Sequence, residues 1–197
     1  MQLFNIADRR DPDAQLMLAY GRGDAKAFEQ LYVKYKDPLY RFFLRQCGNR
    51  ALAEELYQDV WVRVIDARQR YAVKAKFSTW LYRIAHNILT DHYRKPVEEA
   101  LPEADAVPSS RADDPETVLG GQEKLARYQA MLRALPDEQR AVFLLKEEAG
   151  MSLEDIAATT GENFETIKSR LRYAVGKLKQ ALAEPEEDER QRRPQAV

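Results

Sequence analysis

The chain has 197 residues, 45% hydrophobic and 32% charged, with 31 Lys and Arg against 32 Asp and Glu, a composition that excludes a disordered chain and suits one large or two small globular domains. No apolar run reaches the roughly 18 to 20 residues of a membrane span, and the first residues, MQLFNIADRRDPD, lack the apolar stretch of a secretory signal, so a cytoplasmic protein is expected. Cys47 is the only cysteine, which excludes an intramolecular disulfide.

The net charge of −1 hides a division along the chain. Residues 1–96 carry 17 basic and 11 acidic side chains, residues 97–121 carry 1 and 7, and residues 122–184 balance at 10 each. A basic first part is therefore followed by an acidic connector and a neutral second part.

In chain order, the pattern predicts a short helix from Asp13 to Tyr20, ended by a turn at Gly21 and Gly23. Asp24 is the expected N-cap of AKAFEQLYVKYKDPLYRFFLRQC, where Phe28, Leu31, Tyr32, Tyr35, Leu39, Phe42 and Phe43 recur at three- and four-residue steps and Pro38 is expected to kink the helix. Asn49 caps a third helix, RALAEELYQDVWVRVIDAR, with Leu52, Leu56, Val60 and Val64 inward. Glu54, Glu55, Gln58, Asp59 and Trp61 fall partly outside that stripe and predict an acidic surface with an aromatic at its edge.

A fourth helix, FSTWLYRIAHNILTDHYR, begins near Phe77 or Ser78 and turns Leu81, Ile84 or Ala85, Ile88 and Trp80 inward. With the loop before it, this segment gathers Arg70, Tyr71, Lys74, Lys76, Phe77, Trp80, Tyr82, Arg83 and Arg94. Cations that hold a backbone and aromatics that stack on bases are the composition of a single-strand platform. His86 and His92 lie six residues apart with no Cys or paired carboxylates in ligand spacing, so no metal is expected.

Residues 96–121, PVEEALPEADAVPSSRADDPETVLGG, hold four prolines, two glycines, seven acids and no aromatic residue. Low hydrophobicity, like-charge repulsion and proline predict a flexible acidic linker. Beyond it, Gln122 to Leu135 is expected to be helical, and Leu135-Pro136-Asp137 to stop that helix and cap EQRAVFLLKEEAG, with Val142, Phe143 and Leu145 apolar.

Residues 151–182, MSLEDIAATTGENFETIKSRLRYAVGKLKQAL, read as two helices joined by a tight turn. Ser152 caps the first, with Asp155 as a shortened capping-box partner, and Leu153, Ile156 and Ala157 face inward. Gly161 takes the turn. The second helix starts near Asn163 or Phe164, with Ile167, Leu171, Val175 and Leu178 on one stripe and Lys168, Arg170, Arg172, Lys177 and Lys179 largely off it. This is a helix-turn-helix signature, whose second helix enters the major groove and brings Thr166, Lys168, Ser169, Arg170 and Arg172 within reach of bases or phosphates.

The motifs AEELYQDVWVRV, FSTWLYRIAHNILTDHYR, LRALPDEQRAVFLL and TIKSRLRYAVGKL, in this order on either side of a tether, resemble the sigma-70 family of bacterial RNA polymerase sigma factors, specifically its extracytoplasmic-function (ECF) group. The resemblance implies an all-α fold of two small helical domains: a sigma-2-like bundle over 13–96 and a sigma-4-like helix-turn-helix domain over 122–184, joined by the linker 97–121 and followed by a charged tail, 185–197. It implies core polymerase binding by Glu55, Gln58, Asp59 and Trp61. It further implies minus-ten recognition by Phe77, Arg83, Asn87 and Asp91, and minus-thirty-five recognition by Thr166, Lys168, Ser169, Arg170 and Arg172. Core RNA polymerase, promoter DNA and an anti-sigma factor are the expected partners of a monomer that meets a membrane only through a membrane-bound anti-sigma factor. Many members have Arg where this chain has Tyr173, and small or apolar residues where it has Glu162, Asn163, Phe164 and Glu165, so an altered promoter preference is expected.

No glycine-rich phosphate loop, nucleophile elbow, HExxH or Cys/His pair is present, so neither an enzyme nor a cofactor is expected. Two other classes remain at this stage: a stand-alone helix-turn-helix regulator that binds duplex DNA without polymerase, and an adaptor that binds a partner through its first helices. The aromatic and cationic FSTWLYRIAHN segment disfavours the former and the basic recognition helix the latter.

Overall fold

The computed structural model describes residues 11–94 and 126–191, and their regular structure is entirely helical: α1 (Pro12–Gly21), α2 (Ala25–Cys47), α3 (Arg50–Ala67), α4 (Phe77–Arg94), α5 (residues 126–133), α6 (Asp137–Glu147), α7 (Leu153–Thr160) and α8 (Phe164–Gln191). The acidic linker over 97–121 and the expected start of a helix at Gln122 lie outside the described residues. No helix among the described residues is long and apolar enough to cross a membrane.

Local capping chemistry sets most boundaries. Asp24 Oδ1 accepts from the backbone N–H of Lys26 and Ala27, and Asn49 Oδ1 accepts from Leu52 N–H at 3.0 Å, so α2 and α3 begin where the sequence predicts. Gly48, between them, has φ of 67°, the left-handed turn that a residue with a Cβ resists. Helix α2 runs through Pro38, whose missing N–H removes one internal hydrogen bond.

One expectation is corrected at the caps. Asp137 is the first residue of α6 and pairs with Arg140, so Pro136 occupies the cap position without a side-chain hydrogen bond. Helix α8 continues through Pro185 to Gln191, into the charged tail.

The first four helices enclose an aromatic core. Helix α2 packs against α1 and α3, and α4 against α3, around Leu31, Leu39, Phe42, Phe43, Leu56, Val60, Val64, Phe77, Leu81, Tyr82 and Ala85, all fully or nearly fully buried. Each large side chain removed from water contributes about 1.5 to 3 kcal/mol. The second core, from α5 to α8, is aliphatic: Leu132, Val142, Leu144, Leu145, Met151, Ile156, Ile167 and Ala174. Leu144, absent from the expected stripe, is buried, whereas Phe143 lies at its margin.

The two halves also meet. The end of α2 packs on α6, and α4 packs on α7. Glu148, with a side chain 9% exposed, pairs with both Arg41 and Arg45 of α2, and the Arg45 guanidinium lies 5.2 Å from the Tyr128 ring of α5. Gln46 Nε2 donates to the Asp137 carbonyl at 3.5 Å.

Candidate nucleic-acid interface

The helix-turn-helix is built as its sequence suggests, with one change at the cap. Ser152 Oγ accepts from Asp155 N–H at 3.1 Å, and the hydroxyl donates back to Asp155 Oδ2 at 3.0 Å. The aspartate, one methylene shorter than glutamate, thus meets the capping hydroxyl instead of the backbone. Gly161 turns the chain with φ of 75°, and Asn163 Oδ1 accepts from Thr166 N–H at 2.8 Å to start α8.

On α8, Ile167, Ala174 and Leu178 are buried, which turns Lys168 and Arg172 to solvent with Ser169 and Thr166 beside them. Arg170 sits on the flank, between the buried Ile167 and Ala174, and its side chain is 26% exposed. Two of these cations already hold carboxylates: Arg170 pairs with Glu162 at 3.1 Å and Lys168 with Glu165 at 3.6 Å. Glu162 and Glu165 thus stand against the two cations that the sequence assigns to DNA. Arg172 lies over the Tyr173 ring at 5.2 Å, and Phe164 and Tyr173 expose large aromatic surfaces at 39% and 56%.

On α4, Arg83, Asn87 and Asp91 are exposed and follow one another at four-residue steps, so the structure brings them to one face. Phe77 does not join them. It is fully buried, 5.3 Å from the Tyr35 ring and 5.6 Å from Trp80, and Tyr82 is buried against Phe42. These aromatics support the helix from beneath, and no base can stack on Phe77 in this packing. Tyr71 and Trp80, 4.9 Å apart, are the half-buried rings left at the edge, with Arg70, Lys74 and Lys76 exposed around them. The Arg83 guanidinium donates to the Ala158 carbonyl of α7 at 2.8 Å, so one minus-ten candidate is held by the other half of the molecule.

Behind this face, His86 is half-buried, and burial pushes its imidazole toward the neutral form. Among the described residues no group of His, Cys, Asp and Glu could hold a metal ion.

On α3, Glu55, Gln58 and Asp59 are exposed along one side. Trp61 is corrected: it is 5% exposed, within an aromatic cluster of Phe28, Tyr32 and Tyr57, and offers no surface to a partner. Val62 is the exposed apolar residue on this helix, 54% exposed and one turn beyond Gln58 and Asp59. An apolar residue outside the Leu52–Val60 stripe was the available signal for it.

Comparison with known proteins agrees with this layout. Residues 31–97 match the family Sigma-70 region 2, and residues 125–178 match Sigma-70, region 4. The chain is 35% identical to the ECF RNA polymerase sigma factor SigE of Mycolicibacterium smegmatis over 80% of its own length and 62% of that protein's. It is 34% identical to the RNA polymerase sigma factor CarQ of Myxococcus xanthus, covering 83% of this chain and 94% of CarQ. Among solved structures, the sigma factor RpoE of Bartonella quintana in complex with the anti-sigma factor NepR shares the fold with a TM-score of 0.66 at 24% identity, covering 80% of this chain and 98% of that one. Two region matches in the order of the two helical units, together with relatives aligned over most of this chain, show that it belongs to the sigma-70 family of RNA polymerase sigma factors, within the ECF group.

Proposed function

We propose that the chain binds core RNA polymerase through the α3 face of Glu55, Gln58, Asp59 and Val62, and directs initiation by reading promoter DNA with two separate helices. In this reading a domain over 13–96 captures melted minus-ten DNA with Arg83, Asn87 and Asp91. A domain over 122–184 reads the minus-thirty-five duplex with Thr166, Lys168, Ser169, Arg170 and Arg172. The observation that carries the reading is the pair of polar faces, Arg83–Asn87–Asp91 on α4 and Lys168–Ser169–Arg172 on α8, each opposite a buried stripe that fixes its rotation. Arg83 uses one guanidinium nitrogen on the Ala158 carbonyl and keeps its other donors for a nucleotide. The chain itself is a non-catalytic cytoplasmic factor that directs the polymerase's chemistry. The structure of RpoE from Bartonella quintana, which has the same fold, holds an anti-sigma factor, which supports a protein of that class as the regulator of this chain.

The test mixes the purified chain with sigma-free bacterial core polymerase and fragmented genomic DNA of its host. Transcripts starting at discrete sites are expected. No association with core, with duplex binding retained, would instead identify a stand-alone regulator.

A further inference from the structure

Helix α1 touches the loop between α3 and α4, residues 68–76, at both of its ends. At the far end of the loop, Asp11 caps two helices at once. Its Oδ1 accepts from Asp13 N–H of α1 at 3.3 Å, and its Oδ2 accepts from Phe77 N–H, the first residue of α4, at 2.7 Å. Lys76, immediately before α4, carries no acceptor on its side chain, so the first turn of this helix takes its cap from a residue 66 positions away.

At the near end, Gly21 closes α1 against the loop's first residue. A Cβ on Gly21 would lie 2.5 Å from the Arg68 carbonyl oxygen, a backbone atom that cannot turn aside. Between these two points α1 is pinned to α2, where the buried Asp13 carboxylate accepts from the Tyr35 hydroxyl and pairs with Lys34.

The magnitudes show why such a brace matters. Nine residues, 68–76, could extend to about 30 Å, whereas the helix from Asp11 to Gly21 spans about 15 Å. The loop's own length therefore leaves its end-to-end distance open, and a rigid rod anchored at both ends closes that freedom. The Tyr71 ring and the cations Arg70, Lys74 and Lys76 stand on the segment so held, and Trp80 stands on the first turn of the helix that Asp11 caps.

We infer that α1 is a strut for the capture of single-stranded minus-ten DNA, with Asp11 and Gly21 as positioning residues that touch no nucleotide themselves. The inference rests on the proposed role of α4 and its loop.

The test uses the full chain bound to core polymerase and, as probe, a fluorescent non-template single strand taken from a promoter mapped in the transcription assay. Asp11→Ala and Gly21→Ala are each expected to weaken strand binding about fivefold, the effect of one lost cap, while affinity for core and for the minus-thirty-five duplex stays within about twofold. Asp11→Asn keeps one acceptor oxygen and should fall between wild type and alanine, a rescue that also serves if Gly21→Ala does not fold. Strand binding unchanged in both Asp11 variants overturns the strut, as does a loss that runs in parallel with core affinity. A wild-type complex that ignores the strand overturns the proposed function first.

Discussion

The two halves of this protein support their polar faces by different means. In the amino-terminal bundle the faces of α4 and α3 stand on aromatic side chains: Phe42, Phe43, Phe77, Tyr82 and Trp61 are buried from three helices. Large rings with few rotamers fix the rotation of a helix about its axis, so Arg83, Asn87 and Asp91 project from a stiff support. The helix-turn-helix unit rests on smaller aliphatic groups such as Leu144, Ile156, Ile167 and Ala174, which let short helices approach closely. Of its cations, the exposed Lys168 is held by Glu165 and the half-buried Arg170 by Glu162, and such pairs near the surface contribute only about 0.2 to 1 kcal/mol. Under the proposed function, a surface that exchanges carboxylates for phosphates is served by such weak partners, and a helix that captures a single strand by a stiff support.

The comparison can be broken most directly in the cores. Phe77→Ala should cost about 3 to 5 kcal/mol in urea unfolding, and Ile156→Ala about 2 to 4 kcal/mol with the loss confined to the second half in hydrogen exchange. A smaller cost for Phe77 than for Ile156 would refute the stiff aromatic support.

The next effect lies where the halves meet. Glu148→Ala leaves Arg41 and Arg45 without their shared carboxylate and should cost about 1 to 2 kcal/mol, a figure kept low because Arg41 is half exposed. Cys47 reports on the same seam. Its thiol, near Arg140 of the other half, is pushed up to about 11 by burial, so the wild-type chain should react slowly with alkylating reagents at neutral pH. Faster alkylation in Glu148→Ala would show that the seam has opened, and an unchanged rate would show that these ion pairs do not hold it closed.

A smaller effect is expected on the recognition helix. Glu162→Gln frees Arg170 for phosphate, with stability changed by about 0.2 to 1 kcal/mol and the slope of log affinity against log salt steepened by about 0.9 for one added contact. An unaltered salt slope in filter binding would place Arg170 outside the interface.

The smallest is a pH dependence. Burial disfavours the His86 cation, so its value in the folded chain lies below the ordinary value of about 6.5. As pH falls below that ordinary value the unfolded chain takes up the proton first, and stability is lost until the folded value is passed. His86→Gln should flatten the stability profile over that acidic window while leaving it unchanged above neutrality, as measured by thermal unfolding at a series of pH values.

Helix ends were legible from short stretches of sequence because a cap acts over two to four residues. Asp24, Asn49, Ser152 and Asn163 each bond to backbone N–H groups that close along the chain, and Gly161 adopts the turn that only local conformation dictates. The polar faces of α3 and α8 followed from periodicity, whereas Arg83, Asn87 and Asp91 on α4 were singled out by the resemblance to sigma factors.

Tertiary packing decided what periodicity leaves open. Trp61 and Phe77 stand at positions that a single helix could turn to solvent, and they are buried because Phe28, Tyr32 and Tyr35 arrive from α2. Val62 is exposed for the complementary reason, since no helix among those described covers that side of α3. The Asp11 bond to Phe77 and the Arg83 bond to Ala158 join residues 66 and 75 positions apart. No local pattern encodes such pairs, because their free energy comes from groups brought together only when separate helices pack.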